Sequence, residues 1–402
     1  MNNVVFTKYF ILTLIIGIQL SFLWLKKDIL ITNIKGIPSF SIYGIVGRVK
    51  SLDYSDIKNP SYKVPCFNLE NIYNSDLGDK NTNIDYQNNK FGLYIYSEAG
   101  YVKLARDLVN SKGGDWGYVL IPYNVKDYDS GKWKEIFDLF NKYHLIPIVQ
   151  LWDLSNLNQE EQIIQSANFL NSMPWPIKNR YISVYNEVND NNFWRGKSNP
   201  VVYAEILEKT IDTFKSKSAD FFMLNGAFNS SARLGNGFID ERDFLIRMNS
   251  AVPGIFKKLD GWASHSYPQP NFSGNPRDTG RDSIKAYEWE IEVLSSLFGV
   301  YNIPVFITET GWAHAEGKEY KGEYLPANIV ADYLVYAFEN VWLTDPRVVA
   351  VTPFTIKYDS PYDHFSWIDE NDNPYPQFKA IQKIKKIEGK PPYLIKENVF
   401  CD

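Results

Sequence analysis

Two glutamates end short runs that read as buried strands. Ile182-Ser183-Val184-Tyr185-Asn186 leads into Glu187, and Val305-Phe306-Ile307-Thr308 leads into Glu309, followed by Thr310-Gly311-Trp312. A carboxylate at the mouth of a buried strand costs desolvation free energy unless something offsets it. Two of them on one sheet are what cleavage of a glycosidic bond requires: one protonates the leaving oxygen, the other is nucleophile or base across the bond. Two close carboxyls do not readily ionise together. One is therefore expected to hold its proton at neutral pH, and that one would be the general acid.

The elements that must hold these groups recur regularly after residue 90. Strand patterns fall at 91–97, 116–124, 146–151, 181–185, 221–226, 261–266, 303–308 and 348–356. Helical patterns lie between them. Trp133, Ile136, Phe137 and Phe140 repeat at spacings of three and four, as do Ile284, Tyr287, Ile291, Leu294 and Phe298. Asn199-Pro200 reads as an N-cap and first helical residue, and Pro253 should interrupt the helix begun near Asp240. Strand–helix alternation of this length predicts an α/β chain, a (β/α)8 TIM barrel. An open doubly wound sheet is the rival, but Ser97-Glu98-Ala99-Gly100 after strand one carries no glycine-rich phosphate turn.

In a barrel, catalytic groups sit at the C-terminal strand ends. That rule collects Trp152 and Asp153 after strand three, Asn186 and Glu187 after strand four, and His265 and Tyr267 after strand six. Glu309, Trp312 and His314 follow strand seven, and Lys357 and Tyr358 follow strand eight, with Trp367 in the next loop. Strands four and seven lie on roughly opposite sides, so Glu187 and Glu309 should face each other. Trp152, Trp312 and Trp367 are candidate stacking platforms for sugar faces, with core packing as the alternative for each.

Composition narrows the partners. The chain has 402 residues, a net charge of −5 and no basic block, which argues against nucleic acid. Its 2 cysteines and 4 histidines show no metal-ligand spacing, so no cofactor and no catalytic metal is expected. Aromatic residues make up 16% of it, which suits either a dense core or a sugar cleft.

Asn-Glu after strand four, His-x-Tyr after strand six and Thr-Glu-Thr-Gly-Trp after strand seven together resemble the large clan of retaining glycoside hydrolases on (β/α)8 barrels. That clan includes cellulase-like, β-1,3-glucanase-like and xylosidase-like families. The resemblance covers about residues 90–388. It implies Glu187 as acid/base, Glu309 as nucleophile and Asn186 on the sugar 2-hydroxyl. It also implies Tyr267 on the nucleophile and His265 lining the subsite. Many members carry an arginine near the end of strand two that contacts the nucleophile. Here that strand ends Ile121-Pro122-Tyr123-Asn124, leaving Asn124 or Tyr123 to substitute, or a divergent family. The implied activity is hydrolysis of β-glycosidic bonds in an extracellular or cell-envelope polysaccharide. A glycan-binding barrel without turnover and a transglycosylase are the alternatives.

Residues Tyr9–Leu25 form an uncharged apolar run flanked by Lys8, Lys26 and Lys27. The length suits an uncleaved signal anchor, giving a membrane-anchored, extracytoplasmic domain; a cleaved secretory signal or a core helix are the rivals. The expected divisions are an anchor over 1–27, a linker and cap over 28–90, the barrel over 91–388 and a tail over 389–402. Cys66 and Cys401 could pair across the domain or stand as lone thiols.

Overall fold

The computed structural model describes residues 84–392, except 85, 195 and 319–321. The apolar run Tyr9–Leu25 and both cysteines lie outside them. Among the described residues no helix is long and apolar enough to cross a membrane.

Among the described residues, eight parallel strands alternate with eight α-helices. The strands are β1 (Gly92–Tyr94), β2 (Gly117–Asn124), β3 (Leu145–Trp152), β4 (Arg180–Asn186), β5 (Phe221–Ala227), β6 (Trp262–His265), β7 (Val305–Glu309) and β8 (Val348–Val351). The helices are α1 (Ala99–Val109), α2 (Ser130–Tyr143), α3 (Gln159–Asn171), α4 (Pro200–Lys217), α5 (Glu241–Ala251), α6 (Ala286–Phe298), α7 (Ala327–Ala337) and α8 (Pro376–Lys383). The local signals act as the sequence suggests. Asn199 caps α4 by accepting from the Val201 and Val202 amides, with Pro200 in the first turn. The helix begun at Glu241 stops at Ala251, ahead of Pro253, and a 3₁₀ turn follows at Ile255–Lys258.

β1 to β5 form one continuous ladder and β6 to β8 another. Two narrow seams join them into a ring. Phe91 bridges Val351 on one side and Leu224 bridges Gly261 on the other. At the second seam the Asn225 side chain acts like a length of strand. Its amide donates to the Ala263 carbonyl at 3.0 Å and accepts from the Ala263 amide at 2.8 Å. Alternation along each strand then divides the core in two. Tyr118, Leu120, Ile148, Tyr181 and Phe306 fill the barrel, while Val119, Ile121, Val149, Ile182 and Val184 pack beneath the helices.

Two expectations are adjusted. Strand eight ends at Val351, not Ile356, and the chain beyond turns over the barrel mouth. Residues 84–90, read as the end of a linker, include Tyr86, whose hydroxyl meets those of Tyr118 at 3.1 Å and Tyr181 at 3.0 Å among the barrel-filling side chains.

Candidate active site

Strict alternation would send Asn186 and Glu187 to opposite faces of the sheet. The end of β4 avoids this with two residues in positive φ. Tyr185 has φ +74° and joins Val184 in the layer under the helices. The alternation reverses there, so Asn186 faces inward and accepts from Gln150 Nε2 at 2.9 Å. Glu187, at φ +37°, turns again and reaches His265. The kink crowds β5: a Cβ on Gly226 would sit 2.5 Å from the Val184 carbonyl oxygen, so that position needs glycine. It also interrupts the ladder, which pairs Val184 with Asn225 and Asn186 with Ala227 and skips the residues between. The Tyr203 hydroxyl from α4 fills the gap, donating to the Val184 carbonyl at 3.0 Å and accepting from the Gly226 amide at 2.7 Å. Non-glycine residues in such conformations cost on the order of 1–3 kcal/mol each and persist where surroundings hold them.

The two glutamates converge as expected. His265 Nδ1 lies 3.1 Å from Glu187 Oε1 and 3.6 Å from Glu309 Oε2. One oxygen of each carboxylate and the imidazole nitrogen fall within 4.8 Å of one another. The Tyr267 hydroxyl donates to Glu309 Oε2 at 3.0 Å. Both glutamates are 8% exposed and His265 is 1% exposed. Two carboxylates and an imidazole are also a donor set a cation could use. In the protein itself His265 meets one oxygen of Glu187 and Tyr267 donates to one oxygen of Glu309.

Burial and the neighbouring Glu187 charge push the Glu309 carboxyl up to about 7, against the opposing pull of His265 and the Tyr267 hydrogen bond. The proton-holding carboxyl was expected to be the general acid. In the unliganded site burial raises the other member of the pair, the one assigned as nucleophile. Burial opposes charge on His265, yet the Glu309 and Glu187 carboxylates outweigh it and raise the imidazole above its ordinary 6.5. Burial, then the same two carboxylates, drive the Tyr267 phenol well above its usual range, so it stays a donor.

The remaining candidates divide. Trp152 is partly exposed and lines a cavity of about 310 Å³ with Asp153, Tyr185, Asn186, Phe193 and Trp194. Its indole N–H donates to Gln150 Oε1 at 2.7 Å, completing a chain from Trp152 through Gln150 to Asn186. Trp312 and Trp367 are each 2% exposed within the outer core, and Trp312 Nε1 donates to the Gly274 carbonyl. Neither offers a ring face for stacking. His314 is buried against the Ser366 carbonyl. Lys357 pairs with Asp372. The gap left by the absent strand-two arginine is not filled from β2: the Asn124 amide donates to Asp153 on the rim, and Tyr123 packs outward against Trp133 and Phe169. His265 stands beside Glu309 instead.

Several residues escaped the sequence reading. Gln150 had only an inward parity two positions before Trp152. Phe354 and Tyr362, with Tyr358, form an aromatic patch after β8. Tyr358 is 40% and Tyr362 39% exposed, and Tyr362 feels the charges of Glu187 and Glu309.

Eight parallel strands, each followed by a helix, with carboxylates ending the fourth and seventh, define an α/β barrel of the kind on which glycoside hydrolases are built. No family model matches the sequence, and no curated protein does. Solved structures do match, and those compared are glycoside hydrolases of several families. A GH5_18 protein of Streptomyces cattleya, in complex with GlcNAc, superposes with TM-score 0.52 at 14% identity, over 74% of this chain and 80% of that one. A GH128 (subgroup II) endo-β-1,3-glucanase of Pseudomonas viridiflava gives TM-score 0.48 at 16% identity, over 76% and 99%. The shared feature is the fold, and it fits the clan that the strand-end motifs resemble.

Two outcomes are expected. Tyr203→Phe leaves the Gly226 amide and the Val184 carbonyl unpartnered and should cost about 1–3 kcal/mol in urea unfolding. Glu309→Gln should raise stability. The Glu309 carboxyl titrates higher in the folded chain than its ordinary 4.5, so the penalty is absent below that pH, grows as pH rises and is complete above about 7. The gain should be on the order of 1–3 kcal/mol at pH 8 and nearly nothing at pH 4.

Proposed function

We propose that the chain is a retaining glycoside hydrolase that cleaves β-glycosidic bonds of a polysaccharide. The observation carrying this reading is the convergence of Glu187 and Glu309 to within 4.8 Å around one buried histidine. Retaining pairs stand about 5–5.5 Å apart, whereas inverting pairs need about 6.5–9.5 Å to admit a water. Glu309 attacks the anomeric carbon as the glycosidic C–O bond breaks, and Glu187 gives its proton to the leaving oxygen. Glu187 then takes a proton from water, whose oxygen displaces the Glu309 carboxylate from the sugar. Asn186, fixed by Gln150 and Trp152, is placed to meet a sugar hydroxyl. Trp152 and the Tyr358–Tyr362 patch offer ring surface on either side. The uncharged run at Tyr9–Leu25 supports an extracytoplasmic, membrane-anchored domain, and membrane fractionation of the native host protein tests that part.

The catalytic reading is tested with a panel of β-glucans, xylans, mannans and envelope glycans. Release of reducing ends with retained anomeric configuration is expected, falling by about 10³-fold or more in Glu309→Gln. Glu309→Gly with added azide should yield a glycosyl azide of inverted configuration. Glycan binding without release in the wild type would overturn the enzyme reading, and inverted product would overturn the mechanism. Because Glu309 must be ionised to attack, kcat/KM should fall as pH drops through about 7. In His265→Asn, which removes the group holding that carboxyl down, the acidic limb should move to higher pH.

A further inference from the structure

Three side chains at the ends of β3 and β4 form a hydrogen-bonded row whose direction is set from one end. Trp152 closes β3, Gln150 lies two residues before it on the same face, and Asn186 closes β4. Gln150 is 0% exposed and Asn186 5%. Trp152 Nε1 stands 2.7 Å from Gln150 Oε1, and Gln150 Nε2 stands 2.9 Å from Asn186 Oδ1. An amide can be turned end for end, because its oxygen and nitrogen have nearly the same shape. Two amides in contact therefore do not choose a direction by themselves. An indole chooses it, since its N–H donates and never accepts. Trp152 takes the oxygen of Gln150. That leaves the Gln150 nitrogen facing Asn186, and Asn186 answers with its oxygen. Turning one amide alone would set donor against donor or acceptor against acceptor in a buried place, where an unmet polar group is costly.

The outcome falls on the last atom of the row. Asn186 Nδ2 donates to no described residue, and Asn186 lines the cavity of about 310 Å³ together with Trp152, Phe193 and Trp194. It directly precedes Glu187 in the chain. We propose that Trp152 and Gln150 are positioning residues that commit Asn186 to donate its Nδ2–H into this cavity, so that the glycan unit held there must present an accepting oxygen. Trp152 then has two separable parts: a ring that walls the cavity and an N–H that orders the row. The role in turnover rests on the glycosidase reading; the direction of the amides does not.

The direction is read first without substrate, from side-chain proton exchange in ¹⁵N NMR of the full protein. Signals are assigned by their loss in Trp152→Phe, Gln150→Met and Asn186→Ala. In the wild type the Trp152 indole proton and one Gln150 Nε2 proton should exchange about tenfold or more slowly than the Asn186 Nδ2 protons. Protected Asn186 protons beside a freely exchanging Gln150 amide would mean the reverse direction and overturn the proposal. Trp152→Phe keeps a flat ring without the N–H, and the Gln150 protection should fall in it; unchanged protection overturns the role of the indole. Turnover is then read on whichever glycan of the panel the wild type cleaves. Gln150→Met and Trp152→Phe should each lower kcat/KM, the first by about tenfold, and neither should lower it further in an Asn186→Ala background. Losses that simply multiply overturn the proposal, since they place Gln150 and Trp152 outside the path through Asn186. Should Gln150→Met fail to fold, Trp152→Phe alone and combined with Asn186→Ala carries both readouts. A wild type with the expected exchange pattern that binds a glycan and cleaves none defeats the glycosidase reading alone. The same cycle in Kd for that glycan then decides the proposal, again by whether the losses multiply.

Discussion

Three titratable groups share a buried volume less than 5 Å across, and their mutual electrostatics constrain the rest of the molecule. Carboxylates so placed are stable only as a set, each charge conditioned by its neighbours. Tyr267 donates to one and His265 lies between both. The kink at Tyr185, the bare Cα of Gly226 and the Tyr203 hydroxyl keep Asn186 and Glu187 turned to the same side. The chain of Trp152, Gln150 and Asn186 extends this order to the rim. Together these pieces hold the buried carboxylates in place.

Much of this was legible in the sequence. Glu187 and Glu309 ended apolar runs, and a carboxylate is rarely left there without cause. His265 and Tyr267 followed from counting strands. Elements whose period is set by burial on two faces, such as β2 and β3, came out within a residue. The less legible parts depend on directions that one-dimensional spacing does not carry. A tryptophan count says nothing of which rings show a face, so Trp312 and Trp367 passed for platforms until their burial was seen. The reversal at Tyr185 leaves no trace in residue type, since tyrosine is not what a positive φ ordinarily selects.

Glu290, buried midway along α6, is the instructive omission. The α6 pattern in the sequence runs through Ile284, Tyr287, Ile291, Leu294 and Phe298, and Glu290 has no place in it. The buried stripe in fact runs through Tyr287, Glu290 and Leu294, while Ile291 is only partly buried. An acid at spacing three and four from buried neighbours was the available signal. Glu241, buried at the start of α5, gave none: an acidic residue in the first turn of a helix is ordinary, because it complements the helix dipole.

The ring is not uniformly sewn. Between β5 and β6 two isolated bridges, Leu224 with Gly261 and Asn229 with His265, and the amide of Asn225 replace a full ladder. That seam divides the buried cluster: Glu187 follows β4 of the five-stranded sheet, while His265 and Glu309 end strands of the three-stranded one. The separation of Glu187 from Glu309 is therefore a distance between the two sheets. Whatever fixes that distance must act across the seam, where few backbone hydrogen bonds run, rather than along either ladder.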